Sequence, residues 1–195
     1  MDSCQTKPEE YFDLSNNFVY FGEMTQIRWI LLLGVFLIVS CFGRDYRGGI
    51  MRYEKGRIFT GTKVFQVTYP PPPWQDPRLH YKEMIHENDR IQGTIVTDAL
   101  CGPKFEDTPL AMLAKHLFYK LENPHMEPHR YFELEGREAI HVEGKGSMDG
   151  IPLRMAVVVL KKNACIYDFV YFAPPDRFRE GVKDFENYYR SLKTP

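Results

Sequence analysis

The stretch PLRMAVVVLKKNACIYDFVYFA, Pro152–Ala173, holds two runs of β-branched and aromatic residues separated at Lys162-Asn163. Alternation assigns Leu153, Met155, Val157 and Val159 to one side of the first run and Ala156, Val158 and Leu160 to the other, and both sets are apolar. A strand that is apolar on both faces is covered on both faces. The run before it, REAIHVEGKG from Arg137 to Gly146, is joined through Met148-Asp149-Gly150, and connections this short imply antiparallel pairing. The sequence therefore predicts a central antiparallel sheet with other elements packed on either side.

Two helices are available to do the packing. In DTPLAMLAKHLFYKLEN, Asp107 or Thr108 serves as a cap and Pro109 suits the first turn. Leu110, Leu113, Ala114, Leu117, Phe118 and Leu121 then recur at helical spacing, and Pro124 stops the helix. In PDRFREGVKDFENYYRSL, Asp176 reads as the cap, and Phe178, Val182, Phe185, Tyr189 and Leu192 fall on one side. Upstream, KVFQVTYPPPPW reads as a short strand stopped by proline, and LHYKEMIHE and RIQGTIVTDAL as two strands around Asn88-Asp89. The fold class is α+β, an α/β/α sandwich, over residues 63–195.

The amino-terminal part is different in kind. From Trp29 to Phe42 the chain runs 14 residues without a charge, short of the roughly 18 to 20 that a spanning helix needs. The run follows Arg28 and ends in Ile38, Val39, Ser40 and Cys41, small residues before a cysteine where an export signal would be cut. Residues 1–23 hold Asp2, Glu9, Glu10, Asp13 and Glu23 against Lys7 alone, unlike the basic start of a signal. Met24 is therefore read as the true start, which makes 24–40 the signal, MTQIRWILLLGVFLIVS. The other readings of the run are a buried helix and an uncleaved anchor. Residues 41–62, rich in Gly and Arg, read as a flexible tether whose arginines can meet anionic head groups.

Ile38 to Cys41 resemble the lipobox of bacterial lipoproteins. The resemblance implies cleavage before Cys41, its lipidation, and a mature chain held on a membrane of the bacterial envelope and facing the periplasm. Phe42 in place of aspartate after that cysteine resembles lipoproteins sent to the outer membrane. The folded part resembles the PsbP and Ran-binding Mog proteins in FQVTYPPPPW as an opening strand, LEGREA entering the meander, and YDFVYFAPPDRF running into the closing helix. That resemblance implies an α/β/α sandwich acting as a non-catalytic accessory, assembly or protein-binding part of an envelope complex. A carrier of a small apolar ligand in a sheet–helix cleft is the alternative.

Chemistry is sparse. The net charge of −1 argues against nucleic acid as the partner. After Cys41 the serines are Ser147, in a hairpin, and Ser191, at a helix end, so a serine nucleophile is not expected. GKGS, Gly144–Ser147, lacks the glycine spacing of a phosphate loop and reads as a turn. In HMEPHR, His125 and His129 are held in a loop by Pro124 and Pro128, and no metal site is expected. The chain is not expected to be an enzyme or to carry a cofactor. Asp168, set among apolar neighbours, is either a satisfied structural carboxylate or the polar point of a ligand groove lined by Trp74, Tyr167 and Tyr171. Cys101 closes one strand and Cys165 opens another, either as a bridge or as two buried thiols.

Overall fold

The computed structural model describes residues 49–61, 63–102 and 107–195. The chain divides into two compact units, Met1–Asp45 and Tyr46–Pro195, and the described residues all belong to the second. The signal reading of 24–40 and the lipidation of Cys41 lie outside the described residues.

In chain order the described elements are β1 (Ile50–Glu54), β2 (Arg57–Thr60), β3 (Val64–Gln66), β4 (Arg78–His80), β5 (Glu83–Asn88), β6 (Gly93–Cys101), α1 (Leu110–Phe118), β7 (Glu122–Met126), β8 (Arg130–Leu134), β9 (Arg137–Met148), β10 (Ile151–Lys162), β11 (Cys165–Ala173) and α2 (Phe178–Arg190). The large sheet is antiparallel, in the order β4-β5-β6-β11-β10-β9-β7, and β8 also pairs with β9. β1, β2 and β3 form a separate small sheet. The architecture is the expected α+β sandwich around an antiparallel sheet.

The predicted pair β10–β11 lies at its centre. Tight turns hold the register: Asp149-Gly150 and Asn163-Ala164 both sit at positive φ, the geometry whose twist matches two antiparallel strands. Tyr81-Lys82 makes the same kind of turn, at φ 45° and 74°. This divides the expected single strand LHYKEMIHE into β4 and β5, a break that neither residue type advertises. HMEPHR, expected as a loop, contributes His125 and Met126 to β7 and Arg130 to β8, because the edge of β9 still has backbone groups to pair.

One face of the sheet carries Ala156, Val158, Leu160, Tyr167, Phe169 and Tyr171, and α2 packs Phe178, Phe185, Tyr188 and Tyr189 against it. Ile50, Ile58 and Phe65 of the small sheet join the same core. The tether expected over 41–62 is corrected here: residues 50–60 form the β1–β2 hairpin, because Ile50 and Ile58 are buried and Lys55-Gly56 make its turn at positive φ. The folded part thus reaches upstream of Lys63. Backbone bonds from Gly49 N–H to Ala99 O and from Ile50 N–H to Lys82 O fasten this hairpin to the large sheet.

The other face carries Val157, Val159, Met155, Ile140 and Val142, on which α1 lays Ala114 and Phe118, followed by Leu121. Neither helix uses the expected cap. Pro109 and Arg177 occupy the N-cap positions without side-chain cap bonds, so the carboxylate of Asp176 and the side chain of Thr108 do not cap. In their place, the N–H groups of Leu113 and Phe178 reach back to Pro109 O and Pro174 O.

Each helix comes close to the sheet over a glycine. A Cβ at Gly144 would lie 2.5 Å from the Phe118 ring, and one at Gly181 would lie 2.4 Å from the Tyr171 hydroxyl oxygen. The Tyr171 hydroxyl is further fixed by donating to Phe178 O at 2.9 Å. Gly144→Ala and Gly181→Ala should each cost roughly 1–3 kcal/mol of stability through overpacking. Denaturant unfolding checks this, with Gly150→Ala as a comparison, since that site has open space but positive φ.

Candidate functional site

The two helices cover the sheet unequally. α1 has nine residues and α2 has 13. A helix roughly 10 Å across spans about two strands set roughly 4.8 Å apart. α1 rests on β9 and β10, and among the described residues no helix lies on the same face of β5, β6 and β11 beside it. It cannot extend further, since Tyr119 closes it and Glu122–Met126 is drawn into pairing with β9.

The uncovered strip is a cleft of about 480 Å³. Its floor is one continuous face of the sheet, since Ile85 pairs with Val96, Val96 with Val170, and Val170 with Val157. Thr94, Phe172 and Met155 form the next row of the floor, Leu117 and Leu121 the wall on the α1 side, and Met148 closes one corner. Charges stand at the rim in pairs. Arg78 grips Glu87 with two bonds, at 2.7 and 3.2 Å, and this holds the Glu87 carboxyl below its ordinary range. Lys120 bonds Glu83 at 3.3 Å.

Beyond the floor, on the same face of the sheet, two aspartates meet. Asp98 and Asp168 are directly opposed across β6 and β11, each two residues along its strand from the valines of the floor. Asp98 accepts from Ala99 N–H at 2.7 Å through Oδ1, whereas Asp168 Oδ1 is buried without a hydrogen-bond partner. Burial raises Asp98 to about 6. Burial first and the Asp98 charge second push Asp168 to about 8.

The groove expected from Trp74, Tyr167, Asp168 and Tyr171 does not exist as one site. Strand alternation sends Tyr167 and Tyr171 to the α2 face, where both are fully buried, and Asp168 to the α1 face. Tyr171 stacks on Phe178 and meets Trp74 edge-on, and Trp74 donates to Asp184 at 2.9 Å, which makes these three rings core. Of the four, Asp168 alone shares the sheet face of the cleft, and none of the four lines it. Its partner Asp98 is missed by sequence reasoning, because the alternation Thr94, Val96, Asp98 shows a shared face but not the register with β11. Cys101 and Cys165 are opposed at the end of the same strand pair and are joined by a disulfide. His125 and His129 are both exposed, and among the described residues no group of His, Cys, Asp and Glu could hold a metal ion. No described helix is long and apolar enough to cross a membrane.

No family model matches the chain, and no curated protein is similar to it. Solved structures are. LpqN, described as involved in cell envelope biogenesis of Mycobacterium tuberculosis, superposes with a TM-score of 0.50 at 14% identity, over 80% of this chain and 97% of that one. The likeness is one of fold. A protein from Bacteroides thetaiotaomicron gives a TM-score of 0.50 at 10% identity over 67% of this chain, which spans only 45% of that longer protein. PsbP from the cyanobacterium Synechocystis gives 0.45 at 12% identity, over 80% of this chain and 98% of that one.

The buried acids and histidines act on stability in opposite directions. An aspartate raised on folding binds its proton more tightly in the native state, so stability falls as pH climbs toward the folded value. His86, fully buried against Tyr69 and Tyr188, and His141, lowered to about 4, are held neutral by burial. Their contribution is lost as pH falls below about 6.5. Between pH 6.5 and 8 the aspartates act without opposition from these histidines. The melting temperature should fall across that window, and Asp168→Asn should flatten the fall and raise the melting temperature most at pH 8; thermal melts across the range check both.

Proposed function

We propose that the folded part of this chain is a non-catalytic binding domain of the bacterial cell envelope that takes an apolar molecule into the cleft beside α1. The observation that carries this reading is the strip of sheet that α1 is too short to cover. Its volume lies in the range of small-molecule sites, and its lining is a continuous apolar floor with a few charged groups at the rim. Releasing the water held against such a floor lowers the free energy, and this would drive binding.

The envelope placement draws on three supports. LpqN, whose fold is similar, is described as an envelope biogenesis protein. The Cys101–Cys165 disulfide suits an oxidising compartment. The third support is the lipobox-like run ending at Cys41. In this reading Cys41 is lipidated and the domain faces the periplasm from the outer membrane. A second role, as an accessory part of a protein complex, is favoured by Met112 of α1 and Tyr119 at its end, which are 54% and 60% exposed.

A solvatochromic apolar dye titrated into the protein should bind at a single site. Val96→Trp, which fills the floor, should abolish that binding while leaving the melting temperature within a few degrees of wild type. Dye binding that survives the substitution, or that never occurs, would contradict the cleft reading. The mass of the mature amino terminus tests the anchor separately: a chain beginning at lipidated Cys41 is expected, and an unlipidated chain beginning at Met1 or Met24 would refute it.

A further inference from the structure

The β1–β2 hairpin has a basic outer face. Ile50 and Ile58 turn its inner face into the core, with Tyr53 packed beside them. Arg57 and Phe59, on either side of Ile58, therefore point outward. Arg52 pairs with Phe59 and lays its guanidinium 3.8 Å from the centre of that ring, and the Arg57 guanidinium lies 5.4 Å from the same ring. Lys55 adds a third exposed cation at the hairpin turn. Against these three the hairpin holds one carboxylate, Glu54, in a chain whose net charge is −1. No salt bridge among the described residues engages Arg52, Lys55 or Arg57. At the base of the hairpin, the bond from Ile50 N–H to Lys82 O sets the Tyr81-Lys82 turn beside it. Lys82 is exposed there, with Met51 at 57% and Tyr81 at 89% exposure.

We propose that the outer face of this hairpin and the Tyr81-Lys82 turn form a docking surface for an anionic phospholipid bilayer. The inference rests on the lipidation of Cys41 and adds which side of the domain the membrane meets. Gly49 follows Cys41 by eight residues, a stretch that spans at most roughly 29 Å when fully extended. A lipidated Cys41 thus brings this hairpin to the bilayer before any other described element. Anionic head groups attract Lys and Arg, by about fivefold in binding for each residue at the surface. A guanidinium stacked on a ring keeps its edge N–H groups for phosphate. Met51 and Tyr81 suit the interfacial layer, where rings with a polar end settle among the head groups. An acidic protein would meet the same cations, but the anchor supplies a bilayer at short range and no such protein. A flexible tether would leave the domain free to turn, whereas cations held on one side of a folded hairpin fix its orientation.

The test puts an environment-sensitive fluorophore on one residue of the lipidated protein in vesicles, with Cys101 and Cys165 kept in their disulfide. Met51→Cys and Tyr81→Cys carry it on the proposed surface, and Ile151→Cys carries it at the far end of the sheet. Gly49 bonds Ala99, which is aligned through Tyr167 with Leu160. Ile151 lies nine residues back along β10 from Leu160, about 30 Å away. Replacing phosphatidylcholine vesicles by ones that contain phosphatidylglycerol should blue-shift and brighten the emission at 51 and 81 and leave 151 unchanged. Salt at about 1 M should reverse the shift. Arg52→Gln/Lys55→Gln/Arg57→Gln should lose it, with a thermal melt showing a folded protein and the intact mass showing the lipid. Equal responses at 51, 81 and 151, no response to the anionic lipid, or a response that survives the salt or the triple substitution overturns the docking surface. An intact mass without lipid overturns the anchor and this inference together, so the two failures are told apart.

Discussion

The β10–β11 pair is apolar on both of its faces, and the rest of the molecule follows from having to cover them. Val158, Leu160, Tyr167, Phe169 and Tyr171 on one side and Val157, Val159 and Ile166 on the other are all removed from water. On the first side the cover is ample: a 13-residue helix, the small sheet and the proline-rich segment leading to Trp74. On the second side the described residues offer the nine residues of α1, with Leu121 and Met126 after it. The hydrophobic effect rewards burial without specifying what does the burying, so a shortfall of helix on one face leaves apolar sheet available to something else.

Both faces bury polar groups, and neither satisfies all of them. On the α2 side the Tyr188 hydroxyl meets Thr97 Oγ1 at 2.8 Å and Tyr171 donates to Phe178 O, while the buried hydroxyls of Tyr69 and Tyr167 have no partner. On the α1 side two aspartates are opposed with one oxygen unsatisfied. A fully satisfied buried network stiffens a core, whereas a partly satisfied one is expensive and is tolerated where it serves binding. What sets the α1 side apart is therefore its incomplete cover, and the ligand site draws on that.

Much of the fold was legible because it depends on local pattern. The double-sided apolarity of Leu153–Leu160 gave the buried sheet, and the spacing of Leu113, Leu117 and Phe118 gave α1 and its face. The parts that were not legible depend on pairing between distant residues. Gly56 reads equally as tether or turn until Ile50 and Ile58 are seen to share a core. Tyr81-Lys82 makes a hairpin turn without a turn residue, held in place by the strands on either side. At the site, the apolar neighbours of Asp168 suggest a groove with Tyr167 and Tyr171, although positions an odd number of residues apart on a strand face opposite ways. Asp98 required the β6–β11 register, which no single-strand pattern contains.

The central claim is that the half-covered face binds an apolar ligand, and methyl NMR observes that face directly. On titration with dodecanol, the methyl signals of Ile85, Val96, Val170 and Met155 should shift together and saturate, while those of Val158 and Leu160 on the α2 face stay still. Shifts centred on the α2 face, or spread over the molecule without saturation, would contradict it.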